Sequence, residues 1–359
     1  MQIYSASHQW STRPEDERFP TLQSLLDATK AYYQSAIERE ATISDLRTEE
    51  VNGDVQLVGR QNAPAKLTHW SFGQLASKVG APAEYLRNIP ATLACQNLNW
   101  GLKNLAEKSE TASLLLHNNG SLLLRAITSQ KYVRIWNWEV AERLLGMQEY
   151  GWVPAESDFN MAKDSDLARE RDLYASDHDM FVFLCNGESR VAEPGNPEGL
   201  KRGIIVENSE VGSSALKMTK FLYRGRCGNH ICWGVSKMME ISVRHVGDAR
   251  NKWSQYQYEL KKYAESSVHE DEARISSAKT RIIADTKEQV LDRFGQRNLN
   301  LSLKTLTAGY DATKPEEDGD PRSVWGVVNG LTRFSQSLPY ADQRIQIDRA
   351  AGKLMEGSF

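Results

Sequence analysis

The residues best equipped for chemistry in this chain fall between Ser214 and Gly234, which reads SALKMTKFLYRGRCGNHICWG. Lys217, Lys220, Arg224 and Arg226 are interleaved with Phe221, Tyr223 and Trp233, and Gly228-Asn229 supplies a tight turn between two short strands. Cations neutralise phosphates and aromatic rings stack on bases, so this mixture suits a single-stranded nucleic acid. Side chains alternate along a strand, which puts Met218, Lys220, Leu222 and Arg224 on one face and Lys217, Thr219, Phe221 and Tyr223 on the other. Arg244, Arg250 and Lys252 extend the basic patch. The plainer reading is a half-buried strand whose Lys and Arg heads reach water.

The same stretch offers metal ligands. Cys227, His230 and Cys232, with His245 beyond, are of the types that hold zinc, but their spacing matches no standard knuckle. Buried thiols and a turn histidine are the ordinary alternative. A second cluster, Asp177, His178 and Asp179 with Glu207 and Glu210, could ligate Mg²⁺ or Mn²⁺ for phosphodiester cleavage. Consecutive residues on an extended chain do not converge on one point, however, and a solvated acidic loop explains them as well. The sequence has no G-x-S-x-G, no P-loop and no G-x-G-x-x-G opening a helix. No catalytic residue and no cofactor are therefore expected.

The elements that must position these groups can be outlined from pattern. Thr21 caps a helix carrying Leu22, Leu25 and Leu26. Ala41 to Leu57 reads as a hairpin around Asn52-Gly53-Asp54. Trp70 to Lys108 is helical in three pieces, broken at Gly80 and Pro90. Leu114-Leu115-Leu116 and Leu122-Leu123-Leu124 flank a turn and read as strands buried on both faces. A strand over Met180 to Leu184, a Gly/Pro-rich loop over Glu193 to Gly199 and a strand over Gly203 to Val206 precede the basic hairpin. Trp253, Tyr256, Leu260 and Tyr263 then recur at helical spacing. Asp285 and Glu288 suggest a capping box, Asp311 to Pro321 a solvated acidic loop, and Ser323 the start of a last helical region.

The sum is an α+β fold: a mostly antiparallel sheet core with flanking helices and a helical C-terminal extension. The expected divisions are an arm and helix over 1–40, a core over 41–247 and helices over 248–359. The chain has 359 residues and a formal net charge of -3, so any nucleic-acid binding must come from a local patch. Four cysteines in a chain of this length fit a reducing compartment. The start, MQIYSASHQW, lacks a secretory layout, and no apolar run is long enough to span a membrane. A cytoplasmic protein is expected.

Four segments, in order, carry a family resemblance: WSTRPEDERF (Trp10 to Phe19), LTHWSFGQLASKVGAPAEYLRNIP (Leu67 to Pro90) running on to Asn97 and Asn99, NSEVGSSALKMTKFLYRGRCGNHI (Asn208 to Ile231) with Arg244-His245, and WGVVNGLTRFSQ (Trp325 to Gln336) leading to Ala350-Ala351-Gly352-Lys353. On these the chain resembles the phage/plasmid-like proteins that carry domain of unknown function 932. That resemblance implies a setting in DNA replication, recombination or conflict with host defences, and transfers no catalytic residues. Taken with the basic hairpin, it leads to the expectation of a single-stranded DNA-binding protein acting in annealing or replication as a homo-oligomer. A metal-dependent nuclease using Asp177, His178, Asp179 or Glu210 is one alternative. A protein that blocks a host defence factor is the other. The arm Trp10 to Phe19 could clasp its own subunit or a neighbour.

Overall fold

Thr21 begins the first helix by exchanging hydrogen bonds with Ser24: its hydroxyl accepts from the Ser24 amide at 3.0 Å, and the Ser24 hydroxyl accepts from the Thr21 amide at 3.2 Å. The computed structural model describes residues 15–59, 63–105, 110–154, 173–224, 229–231, 241–296, 299–338 and 341–356. It is an α+β fold, built on two sheets.

The first sheet has six strands in the order β1 (Ala36–Thr42), β5 (Thr111–Asn118), β6 (Leu122–Ser129), β4 (Ala65–Leu67), β3 (Asp54–Val58), β2 (Arg47–Val51). All neighbours are antiparallel except β4 and β6. The β2–β3 turn uses left-handed Asn52 and Gly53, at φ 55° and 84°, as the Asn-Gly pair demands. Helices α2 (His69–Lys78), α3 (Ala83–Asn88) and α4 (Ala91–Lys103) cover one face, joining Phe72, Leu75 and Leu98 to Leu57, Leu114, Leu116 and Leu124. Leu115 and Ala126 turn to the other face and pack against Trp136 and Val211. Leu114, Leu115, Leu116 and Leu124 are thus buried, as a continuous apolar pattern requires, whereas Leu122 and Leu123 at the start of β6 are only partly buried.

The second sheet runs β12 (Asn229–Ile231), β11 (Leu216–Arg224), β10 (Asn196–Asn208), β9 (Met180–Glu193), β7 (Trp152–Pro154), with β8 (Leu173–Ala175) also on β9 and β13 (Ile241–Val243) also on β11. Strands β9 and β10 are much longer than the sequence suggests. The Gly/Pro-rich stretch is not a loop but the tip of their hairpin. Pro194-Gly195 makes the turn, and left-handed Gly199 accommodates a register shift where a Cβ would stand 2.7 Å from the Val191 carbonyl.

Helices α1 (Leu22–Gln34), α5 (Asn137–Gly146) and α6 (Ala249–Glu265) share one core with Val182, Leu184, Ile204, Val206 and Met218 of this sheet. Strand β1 spans the expected boundary at residue 40, and α6 lies beyond the expected boundary at 247 while sharing this core. The C-terminal helices α7 (His269–Thr280), α8 (Lys287–Gly295), α9 (Leu303–Asp311), α11 (Val324–Gln336) and α12 (Ala341–Glu356) form another core around Trp325, Val328 and Leu331, joined by Val191, Leu200 and Leu222, with the short α10 (Pro315–Asp318) before α11. Two details differ from expectation. Thr286, not Asp285, caps α8, because its hydroxyl is the one that reaches the Gln289 amide. Asp311 to Pro321 is not wholly solvated, because Asp318 is buried against Arg333 at 3.0 Å.

At the described end of the arm, Arg18 bridges Tyr174 and the Phe19 amide donates to the Leu173 carbonyl at 2.9 Å, so this part lies along β8 of its own chain. Residues Trp10 to Pro14 lie outside the described residues. Among the described residues no helix is long and apolar enough to cross a membrane.

Candidate functional site

Strand β11 pairs with β10 from Glu207↔Lys217 to Lys201↔Tyr223, so the expected alternation of faces holds. Burial then divides the expected binding residues. Lys220 points into the α6 side, its ammonium 4.5 Å from the Tyr263 ring centroid. Burial holds its pKa below the usual lysine value, with Arg202 and Lys262 adding to the effect. Phe221 is only 1% exposed and lies over Gly203, its cross-strand partner. Neither can meet a phosphate or a base from solvent, because both sheet faces are packed at this point. That part of the expected surface is corrected. Lys217 stays partly exposed on the opposite side from Lys220, 4.0 Å from Glu207. Arg244, one residue past β13, is exposed. Arg226, Cys227 and Cys232 lie outside the described residues, as do the side chains of Tyr223, Arg224, His230, Arg250 and Lys252.

The proposed zinc set does not assemble with His245. His230 pairs with Tyr223 at one end of β11, whereas His245 follows Val243, which pairs with Leu216 at the other. Some seven residues of strand, roughly 23 Å, separate those ends. His245 is instead packed on Tyr132, with ring centroids 5.0 Å apart, and its Nδ1 lies 3.2 Å from the Val133 carbonyl. Burial pushes its pKa down to about 4.

That contact adds a residue the sequence reading missed. The segment from Lys131 to Arg134 runs antiparallel to Arg244–Val246, through the Tyr132↔Val246 bridge and a 2.8 Å bond from the Val133 amide to the His245 carbonyl. Exposed Lys131 is thereby set about three residues, or roughly 10 Å, along the pairing from Arg244. The backbone positions of Lys131, Arg244 and Lys217 all lie toward the Leu216 end of β11, and these three cations are termed the basic strip. A single lysine in a turn gave no signal in the sequence.

Beside the strip the two sheets meet at a polar junction. Its origin is a β-bulge: Leu115 pairs with Ala126 and Leu116 with Leu124, leaving Arg125 as the extra residue. Arg125 is 1% exposed and donates to Glu210 Oε2 at 2.8 Å and to the Asp177 carbonyl at 2.9 Å. Its guanidinium lies 4.4 Å from the Tyr32 ring centroid, and Tyr32 stacks on His117 at 4.1 Å. Burial pushes the Tyr32 hydroxyl up to about 12. Glu210 Oε1 accepts from the Asn137 amide at 2.8 Å, and the Glu210 carbonyl accepts from Arg134, which also pairs with Glu38 at 2.7 Å. The loop around Glu210 is held throughout: the Val211 carbonyl accepts from Trp70 and Gln74, both at 2.9 Å, and the Ser209 carbonyl accepts from the Tyr132 hydroxyl, also at 2.9 Å.

Three carboxylates of the expected metal cluster are engaged in separate contacts: Glu210 serves Arg125, Glu207 faces Lys217, and Asp179 accepts from the Ser176 hydroxyl at 2.9 Å. Asp177 contributes its backbone carbonyl to Arg125. Among the described residues no group of three His, Cys, Asp or Glu side chains is placed to hold a metal ion. Their arrangement is that of a structural lock, in which each buried charge has a partner. Arg125, inside the otherwise apolar run LLLRAI, is the one member whose sequence setting marked it as unusual.

A family model described as a domain of unknown function, DUF932, matches residues 128–339, more than half of the chain. No curated protein and no solved structure matches.

Proposed function

The chain belongs to the DUF932 family, and we propose that it binds single-stranded nucleic acid, DNA in the first instance, without catalytic turnover. The proposed setting is annealing or replication of a phage or plasmid. The observation that carries the reading is that Lys131, Lys217 and Arg244, each at least partly exposed, are all placed toward the Leu216 end of β11 in a chain of net charge -3. Two further points support it. Lys217 lies on the paired strand β11 and Arg244 directly follows β13, which pairs with it, and an annealing role needs no assembled acid, base or nucleophile.

Each phosphate neutralised on a single strand contributes about 0.7 to the slope of log K against log salt, so three contacts predict a slope of about −2. Anisotropy of a labelled oligonucleotide across a salt series measures this directly, with the matching duplex in parallel. Lys217→Ala and Arg244→Ala are each expected to lower the slope by about 0.7 and to weaken binding whatever the base sequence. Absence of binding by the wild-type protein at low salt, or an unchanged slope in a folded Lys131/Lys217/Arg244 triple alanine variant, would remove the reading.

A further inference from the structure

Helix α4 is held firmly from behind and left bare in front. Ala94, Leu98 and Leu102 enter the core of the first sheet. The Asn99 carboxamide closes the outer edge of β2, accepting from the Thr48 amide at 2.7 Å and donating to the Thr48 carbonyl at 2.8 Å. Gly101 lets α2 approach so closely that a Cβ there would stand 2.6 Å from the Val79 Cβ. On the front, Trp100 is 72% exposed and Leu93 47%, with exposed Gln96, Asn97, Lys103 and Asn104 around them. Tyr85 of the neighbouring α3 is 58% exposed. A tryptophan this open on a rigid helix calls for an occupant.

We infer that this face of α4 is a self-association surface, packing antiparallel against α4 of a second copy of the chain. Charge selects the class of partner. Lys103 is the sole charged residue of α4, whereas nucleic-acid interfaces are strongly positive and protein interface centres are charge-poor and rich in Trp and Tyr. Self-complementarity selects the second copy. Leu93, Asn97, Trp100 and Asn104 follow one another at steps of four, three and four, the seam of two helices packed side by side. A two-fold axis near position 98 sets Trp100 beside Asn97 of the second copy, and Leu93 beside Asn104 and the aliphatic stem of Lys103. No like charges meet, so the stripe complements itself. From Leu93 to Asn104 the seam is roughly 16 Å long at 1.5 Å per residue. With Tyr85 at its border this is a small interface, and the association is weak and concentration-dependent.

Sedimentation velocity over a concentration series, without nucleic acid, tests this. The wild-type chain is expected to move from monomer to dimer. Trp100→Glu and Leu93→Glu are each expected to weaken the dimer about ten-fold or more, with unchanged far-UV circular dichroism. A wild-type chain that stays monomeric at its highest soluble concentration would overturn the inference, as would a dimer indifferent to both substitutions. A Trp100→Glu variant with unchanged mass but reduced oligonucleotide affinity would also overturn it, by reassigning the face to nucleic acid.

Discussion

Glu210→Gln is the substitution that best probes the polar junction, because it keeps the shape and removes only the charge and one acceptor. Glu210 and Arg125 have side chains 3% and 1% exposed, and their contact is 2.8 Å long. The glutamine carbonyl can still accept from the Asn137 amide, but its NH₂ then faces the Arg125 donors. The guanidinium is left buried without its countercharge. Breaking one side of a buried pair costs about 3–5 kcal/mol. Arg125 keeps the Asp177 carbonyl and the Tyr32 ring, which places the expected loss near the lower end, about 3 kcal/mol. Against a total stability of about 5–15 kcal/mol this is a large fraction, readable as a shift of the urea midpoint. The Arg125→Met/Glu210→Gln double variant removes the stranded charge and is expected to recover about 2 kcal/mol, a clear departure from additivity. Glu38→Gln is the contrast. Its bond to Arg134 is shorter, 2.7 Å, but Glu38 is 51% exposed, and a loss of about 1 kcal/mol or less is expected. A Glu210→Gln variant within 1 kcal/mol or so of wild type, or an additive double variant, would refute the claim that burial rather than distance sets the strength of this pair.

Two other perturbations have a definite sign. His245 has its pKa depressed to about 4 by burial, so between the unfolded value near 6.5 and about 4 the unfolded chain binds the extra proton. Its contribution is complete above about pH 6.5 and is lost progressively as the pH falls to about 4, amounting to up to about 3 kcal/mol. His245→Phe, which retains a ring against Tyr132, should flatten the stability-versus-pH curve in that window; an unchanged slope would show that the imidazole is not held neutral. Gly203→Ala would place a Cβ 2.3 Å from the Phe221 ring and should cost about 1–3 kcal/mol by overpacking. In the Phe221→Ala background the same change should cost much less, and an equal cost in both would deny the contact.

Local signals in the sequence were sufficient for much of the fold. The Asn52-Gly53 turn, the Thr21 and Ser323 caps, the breaks at Gly80 and Pro90 and the Leu114/Leu124 hairpin all depend on neighbours within a few residues, and all are present. The basic hairpin was partly legible. Its alternation was right, but the meaning of each face depended on what covers it. Helix α6, some forty residues on from Lys220, buries that lysine, and Gly203 on the adjoining strand seats Phe221. The long β9–β10 hairpin was hidden by Pro194, Gly195 and Gly199, which look like a loop until their left-handed glycines are seen to serve a turn and a bulge. The polar junction was not legible, because Arg125, Arg134, Asp177 and Glu210 come from four separate segments and only the fold brings them together.

The junction and the strip are mechanically one assembly, and this links stability to the proposed binding. Lys131 is positioned by the segment that follows it, in which Tyr132 bonds the Ser209 carbonyl, Val133 pairs with His245 and Arg134 grips the Glu210 carbonyl. The loop that receives the Tyr132 and Arg134 bonds is the loop that Glu210 anchors to Arg125. Loosening Glu210 should therefore loosen the bed on which Lys131 and Arg244 lie, whereas exposed Arg244 can be removed without disturbing any part of the lock. The two sets of variants consequently separate two roles. Junction variants lower stability, and lower affinity only in proportion to the disorder they introduce at the strip. Strip variants change the salt slope at constant stability. A junction residue that changed the salt slope in a fully stable protein would have to touch phosphate itself, which the burial of Arg125 and Arg134 does not allow.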